Sequence, residues 1–365
     1  MTPDVSAPGL ERRRVALHDY TLRQFRRAGD DAVSRALLSA ILEYRLGTLA
    51  RLPNRLGGEE GCIAPPLCNS ATTTISEEGQ GVGVDAASPS PLTLPTVLAD
   101  LGLLPALSEV VMDLLNYLEH PDVDGNQVAQ KIARDPGLCA KLLSVANSSF
   151  YGLQGQVETI SDALVVLGLR AVRTLVTATA VVSHLQALAG RQQRAFWVHS
   201  AGTALCARAL ARRVGTNAEA AFTAGLLHDL GRLILAARFA DQYRAVVDYR
   251  VEHDIYVIEA EHQVLGFDHT EVGAALAQRW KFPVDTVAAI ACHHTPTDQP
   301  AGSLAGLIHV ADAMAHALGF VGDEEDLMPR LSGVVWTRLG LSWDEFQRLL
   351  GEVDAQRDEA EWVLD

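Results

Sequence analysis

Residues 107–118, LSEVVMDLLNYL, place their apolar side chains at Leu107, Val110, Val111, Leu114, Leu115 and Leu118. The i, i+3, i+4, i+7, i+8 spacing puts all six on one face of a 3.6-residue helix, and no period of two competes with it. The pattern repeats on both sides of this stretch. Downstream, Asp135-Pro136 opens a helix carrying Leu138, Leu142, Leu143 and Ala146. The carboxylate can accept from free N–H groups, and the proline sits in the first turn, where its missing N–H costs nothing. Thr159-x-x-Asp162 reads as a capping box before Ala163–Leu167, with Gly168 as the stop, and Ser342-x-x-Glu345 opens an amphipathic helix through Phe346, Leu349 and Leu350. Upstream, residues 10–52 follow the helical period at Val33, Leu37, Leu38, Ile41, Leu42 and Leu46 and close at Pro53. Alternating apolar–polar runs are scarce. The fold class expected is all-α, a multi-helix bundle.

The 365 residues are 48% hydrophobic and 21% charged, enough for a sizeable core in one large domain with an appendage or in two domains. Residues 61–95 are rich in Gly, Pro, Ser and Thr and show no lasting period, which predicts a flexible linker. The expected organisation is an N-terminal helical segment over 1–60, the linker over 61–95, a main helical domain over 96–316 and a C-terminal helical extension over 317–365. Five cysteines, sparse and odd in number, argue against a disulfide framework and for a reducing cytoplasm. No secretory signal pattern is expected at the N-terminus, and no membrane span. The net charge of −15 argues against nucleic acid as a partner, because phosphates would be repelled. Residues 1–60 are mildly basic, with ten Arg against eight acidic residues, so the acidic excess lies in the remainder.

Ten of the twelve histidines lie between His184 and His316. Imidazole is a poor core filler unless its nitrogens find partners, so packing alone does not account for that concentration. In Leu226-Leu227-His228-Asp229-Leu230-Gly231-Arg232 a helical reading lets His228 and Asp229 grip a cation from two sides of one ridge. His293-His294 repeats the arrangement with two imidazoles. His199 and Asp312 fall on other apolar helices, and a buried Asp312 needs a cationic or donor partner. His199, His228, Asp229, His269, His293, His294 and Asp312 together form an imidazole-plus-carboxylate set suited to borderline divalent metals. His184, His253, His262, His309 and His316 are read as structural or surface residues, with His309 and His316 at best supporting Asp312. A single histidine on an apolar helix is more often a hydrogen-bonded core residue than a ligand. The metal reading therefore rests on the whole set.

The order of these motifs resembles the HD superfamily of metal-dependent phosphohydrolases, and more closely its bacterial signalling branch, the HDOD family. The resemblance is carried by Leu101–Leu118 with its Leu-Leu-Pro-Ala-Leu opening, by Arg134–Leu138, by Val145–Ser149, by Ile160–Ala163 leading to Leu167-Gly168-Leu169, and by Leu227–Gly231. It covers about residues 95 to 315. It implies a cytoplasmic bacterial signalling protein whose module binds a protein partner or a nucleotide-type ligand, with one or two divalent ions (Fe, Mn, Zn or Mg) held by the seven residues above. Against two-metal HD relatives, all seven find matching positions. Three departures bear on catalysis: Ala195 where some relatives carry a further Glu ligand, Thr295–Pro300 in place of a Gly-Tyr-Pro segment, and Arg232 in place of a lysine. Arg232 keeps a phosphate-binding cation of different shape and reach. The alternatives are an active phosphodiesterase on a nucleotide or cyclic dinucleotide, and a helical scaffold in which the histidines satisfy one another.

Overall fold

The computed structural model describes residues 7–28, 32–51, 92–103, 122–135, 157–189, 194–300, 302–320 and 327–357, with short stretches between 111 and 146. Every regular element among the described residues is helical, as the apolar periodicity requires. Residues 61–91 of the predicted linker, with Cys62 and Cys68, lie outside these residues, as do most of the stretches around 104–121 and 147–156, while Leu94 and Pro95, expected in the linker, open a helix. Val111 and Leu114 of the 107–118 stripe are buried.

In chain order the helices are α1 (Ala7–Gln24), α2 (Ala32–Arg51), α3 (Leu94–Leu103), α4 (Gly125–Ile132), α5 (Ile160–Ala189), α6 (Arg194–Val214), α7 (Ala218–Leu227), α8 (Leu230–Arg238), α9 (Ala240–His253), α10 (Val257–Val264), α11 (His269–Arg279), α12 (Val284–Cys292), α13 (Leu304–Ala317), α14 (Gly333–Leu339) and α15 (Trp343–Asp354). Two boundaries differ from the sequence reading and one agrees with it. The N-terminal helical stretch is two helices, separated by a turn through Phe25–Ala28. Gly168 interrupts α5 where the sequence places a stop: its φ of 76° and ψ of 157° are non-helical, a conformation reached without strain because glycine lacks a Cβ, and a second helical stretch follows it. His228-Asp229 does not lie within a helix: His228 ends α7 and Asp229 precedes α8. The apolar period runs unbroken through this junction, so pattern alone conceals it.

Local capping chemistry fixes the ends that matter. Asp135 Oδ1 accepts from the Leu138 N–H at 3.0 Å. Thr159 Oγ1 accepts from the Asp162 N–H at 3.1 Å, and Asn217 Oδ1 accepts from the Glu219 and Ala220 N–H groups. Asp268 with Glu271 and Ser342 with Glu345 form complete capping boxes on α11 and α15. Each such cap is worth about 1 kcal/mol and sets the angle at which the next helix leaves.

Helix α13 is the axis of the molecule. Every residue from Ala305 to Ala317 is buried, including His309, Asp312 and His316. Helices α6, α7, α12 and α14 pack around it. Close crossings depend on glycine where backbones touch. A Cβ on Gly225 of α7 would stand 2.8 Å from the Ala204 Cα of α6, and one on Gly231 of α8 would stand 1.9 Å from the His269 carbonyl oxygen of α11. The N-terminal helices pack against this body. Arg26 of the α1 end pairs with Asp254 at 2.6 Å, and the Tyr44 hydroxyl of α2 donates to Asp354 Oδ2 at 3.0 Å. The apolar run Ala218–Arg238, 21 residues long, is broken at His228-Asp229 and is 72% buried within the bundle.

Candidate metal centre

The residues chosen from sequence converge. His199 comes from the first turns of α6, His228 and Asp229 from the α7–α8 junction, His269 from the first position of α11, His293 and His294 from the end of α12, and Asp312 from the middle of α13. Helix junctions dominate because a residue just outside a helix can aim its side chain along the axis.

Asp229 is the hub. Its Oδ1 lies 3.3 Å from His269 Nε2, 3.5 Å from His293 Nε2 and 3.6 Å from His228 Nε2. Each of these imidazoles is anchored by its other nitrogen. His228 Nδ1–H donates to the Gly225 carbonyl at 2.8 Å, His293 Nδ1–H to the Ile290 carbonyl at 2.9 Å, and His269 Nδ1–H to Glu261 Oε2 at 2.6 Å. Anchoring Nδ1 fixes the ring and puts the lone pair on Nε2, the arrangement of metal-ligating histidines. His294 Nε2 lies 3.1 Å from His269 Nε2, and His199 Nε2 lies 3.3 Å from His228 Nε2 and 3.2 Å from Asp312 Oδ1. Asp229, His269, His293 and His294 therefore form one cluster able to hold an ion, and His199, His228 and Asp229 form another that shares its carboxylate.

The residues fit a divalent cation. His199 Nδ1, His293 Nε2 and Asp312 Oδ1 are buried without a hydrogen-bond partner. Orphaned buried acceptors cost about 1–3 kcal/mol each, and a shared cation relieves several at once. A mixed N/O donor set selects borderline metals over Ca²⁺.

Electrostatics follow the same geometry. Burial pushes the His228 imidazole down to about 4 against the pull of Asp229. Burial, His293 and His269 push His294 well below the usual imidazole range. Burial also lowers His269, but Glu261 and Asp229 outweigh it and raise the imidazole to about 10, so without a cation its Nε2 carries a proton toward Asp229, and a bound ion would take that proton's place. Burial would raise both aspartates; instead His228 and Arg232 hold Asp229 well below the usual carboxylate range, and His316 and His199 do the same for Asp312. Both carboxylates are ionised at neutral pH.

Arg232 Nη1 donates to Asp229 Oδ2 at 2.8 Å, and its side chain lies along a cavity of about 200 Å³. Arg250, Tyr256, Arg330, Asp312 and His316 also line that cavity. Glu261, which sequence reasoning missed, is fully buried and accepts from the His269 Nδ1–H, the His269 backbone N–H at 3.0 Å and the Tyr243 hydroxyl at 3.2 Å. Its signal was present: it falls four residues after Val257 and four before Leu265, on an otherwise apolar face. His309 is structural, its Nδ1–H donating to the His293 carbonyl at 2.8 Å and its Nε2 accepting from the Ser332 N–H at 2.9 Å. His253 and His262 lie at the surface, and the His184 side chain is outside the described residues.

A helical bundle with a buried histidine–aspartate cluster of this order defines the HD superfamily. Within it, residues 104–296 match the HDOD domain, more than half the chain, and the chain belongs to the HDOD family. A crystal structure from Shewanella amazonensis SB2B, of a protein provisionally named a phosphohydrolase, superposes with a TM-score of 0.61 at 30% identity, covering 74% of this chain and 98% of that one. A structure from Marinobacter aquaeolei VT8, provisionally named a signal transduction protein, gives 0.60 at 26% identity over 76% and 62% of the two chains. An uncharacterized Treponema pallidum protein is 28% identical over 201 residues, 54% of this chain and 39% of its own length. The chain spans well under half the length of the curated relatives it matches. HDOD proteins are associated with signalling.

Proposed function

We propose that this chain is a cytoplasmic bacterial signalling protein whose HDOD module holds a divalent cation and, beside it, a phosphate-bearing nucleotide-type ligand, through which it regulates a protein partner. One observation carries the reading. Three imidazoles present Nε2 to Asp229 Oδ1, each with its Nδ1–H fixed on a carbonyl or carboxylate. A scaffold needs only hydrogen-bonded histidines. A neutral imidazole such as His228 turning its Nε2 lone pair to an ionised carboxylate is costly in a dry interior unless a cation sits between them. The ligands would be His199, His228, Asp229, His269, His293, His294 and Asp312. The ion would be Fe, Mn, Zn or Mg, in one or two copies.

The ligand class follows from the cavity wall. Arg232, Arg250 and Arg330 line it beside Tyr256, whose ring lies 4.9 Å from the Arg330 guanidinium carbon. Guanidinium groups match phosphate oxygens by their planar fork, and an aromatic ring with a cation over it offers a stacking surface for a base. The helical body over 96–316 would be the binding module, with α1, α2 and α15 packed against it.

Hydrolysis is the second reading, favoured by burial of every ligand but His294, which is half-buried. A divalent ion would polarise a phosphoryl oxygen and acidify water at the site. The chain would supply Arg232 to steady the phosphate and the α8–α11 crossing to exclude bulk solvent. The test uses full-length protein purified without chelator. Bound divalent metal in the wild type and its loss in His228→Ala support the site. Binding of mono- and cyclic dinucleotides that disappears with EDTA supports the regulatory reading, and turnover of a phosphodiester separates the enzyme from it. No metal in either protein ends both.

A further inference from the structure

The C-terminal turn of α1 grips two walls of the arginine-lined cavity at once. One wall is the turn between α9 and α10, which contributes Ile255 and Tyr256, and the other is the non-helical segment 327–332, which contributes Leu327, Pro329 and Arg330. Arg26 Nε donates to Asp254 Oδ1 at 2.6 Å, and Arg27 Nη2 donates to the His253 carbonyl at 3.0 Å. Against the second wall, the Met328 N–H donates to the Gln24 carbonyl at 2.8 Å, and Arg330 Nε donates to the Arg27 carbonyl at 3.4 Å. The Tyr256 hydroxyl donates to the Met328 carbonyl at 3.3 Å and ties the walls to each other. Phe25, in the middle of the turn, is buried in the core and fixes its position. The gripped segments form the rim. Asp229 and Asp312 border the cavity deep in the bundle, whereas the Arg330 and Glu259 side chains at its edge are 61% and 42% exposed. The second wall also reaches inward, because the Ser332 N–H donates to His309 Nε2, whose Nδ1–H holds the His293 carbonyl.

We propose that Gln24–Arg27 is a clasp that sets how far this cavity opens, and that α1 is thereby the element coupled to the cavity's occupant. The inference rests on the reading of the cavity as a ligand site and adds its regulation. The bonds suit a contact that is made and broken. The Arg26 and Asp254 side chains are 29% and 42% exposed, and ion pairs at that exposure contribute little individually, so a small force on α1 releases them. Linkage makes the coupling reciprocal: a ligand that needs the walls apart weakens the grip on α1 by the same factor by which releasing α1 favours the ligand. A signalling module needs such a route. Asp229 and Asp312 are buried and cannot meet a protein partner directly, whereas Val15, Leu22 and Arg23 of α1 face solvent.

Hydrogen–deuterium exchange of the full-length protein tests the clasp without assuming a ligand. Arg26→Gln combined with Arg27→Gln removes the grip from the α1 side, and Asp254→Asn removes it from the other. Asparagine tolerates the left-handed backbone that residue 254 adopts, at φ 50° and ψ 54°. Both proteins are expected to exchange about fivefold faster than the wild type over 254–259 and 327–332, the scale of two exposed ion pairs, with α13 unchanged as the control for folding. A methylanthraniloyl-labelled nucleoside diphosphate, mixed by stopped flow, is expected to associate and dissociate faster with the variants. In the wild type, the same nucleotide at saturation is expected to speed exchange over 24–27. Unchanged exchange over both rim segments in folded variants overturns the clasp, and so does faster exchange with unchanged nucleotide kinetics. A wild type that binds no nucleotide overturns the ligand reading of the cavity instead. Exchange over the rim then decides the clasp alone: faster exchange upholds it, and unchanged exchange overturns it.

Discussion

The Arg45 guanidinium of α2 donates from Nη2 to the backbone carbonyl of His316 at 3.0 Å and from Nε to that of Ala317 at 2.8 Å. These are among the last carbonyls of α13, beyond the reach of its i to i+4 bonds; the Gly319 N–H also reaches that of His316, at 3.0 Å. Arg45 is 9% exposed and reaches back to Thr21 Oγ1 and Gln24 Oε1 of α1, at 2.7 and 3.0 Å. A cation at a helix C-terminus also meets the negative end of the helix dipole. The N-terminal helices are thereby joined, through one side chain, to the helix that carries Asp312 and His316.

Arg45→Ala should therefore act at a distance. It takes the donor from the Ala317 carbonyl and removes charge-assisted bonds, a loss of about 2–4 kcal/mol in denaturant unfolding, while the His316 carbonyl keeps the Gly319 N–H at 3.0 Å. Arg45→Lys keeps the charge but not the fork, and should fall between the two. The discriminating measurement is metal affinity on folded protein. A weakening in Arg45→Ala shows that α2 sets the position of the α13 end, whereas unchanged affinity confines Arg45 to stability.

Glu261 makes a different prediction. Its Oε2 holds both the His269 Nδ1–H and the His269 backbone N–H, and its Oε1 accepts from Tyr243. Glu261→Gln removes the charge that makes His269 basic and leaves one of these donors facing an amide N–H₂. Partners of this kind contribute about 10- to 100-fold in metal affinity. Competition against a chromophoric chelator should show a loss in that range; Tyr243→Phe, which removes only the outer hydrogen bond, should lose less.

Gly231 separates packing from propensity. In an exposed helix interior, Gly→Ala gains about 1 kcal/mol. Here the new methyl would meet the His269 carbonyl oxygen at 1.9 Å and the Gly273 nitrogen at 2.8 Å. These are backbone atoms of α11 and cannot rotate away, so α8 and α11 must separate. Gly231→Ala should be destabilising by about 1–3 kcal/mol, as overpacked cores are, and should weaken metal binding because the shift carries His269 away from Asp229. A stabilised variant with unchanged metal affinity would contradict the crossing.

The parts of this molecule that were legible in the sequence share a cause. Asp135, Thr159 and Ser342 stand out because a cap is a local interaction written within four residues. His199, His228, Asp229, His269, His293, His294 and Asp312 stand out because ionisable groups on apolar helices conflict with burial unless something unites them. What stayed hidden depends on tertiary contact or on breaks that leave the apolar period intact. The α7–α8 junction at His228-Asp229 interrupts a helix without interrupting hydrophobicity. Glu261 looks like one more acidic residue of an acidic chain until its burial is seen. Arg45 meets the α13 carbonyls across more than 270 residues of sequence, and no spacing rule spans that distance.

Metal removal gives the broadest prediction. A ligand that binds only the folded state adds RT ln(1 + [L]/Kd), about 2.7 kcal/mol at a hundredfold excess over Kd. The unfolded chain cannot reproduce a site whose ligands come from five separate segments between His199 and Asp312, so little binding competes there. EDTA should thus lower the thermal midpoint of the wild type, and Zn²⁺ or Mn²⁺ added back should restore it. His228→Ala should respond less to either treatment. Loss of one imidazole also leaves a small buried void, so its metal-free midpoint should lie at or below that of the EDTA-treated wild type. The sign of the comparison decides the cluster's role. If removing the ion leaves the wild-type midpoint unchanged while His228→Ala lowers it, the histidines are structural hydrogen-bond partners. If the ion raises the wild type above both metal-free proteins, the bundle folds around a metal.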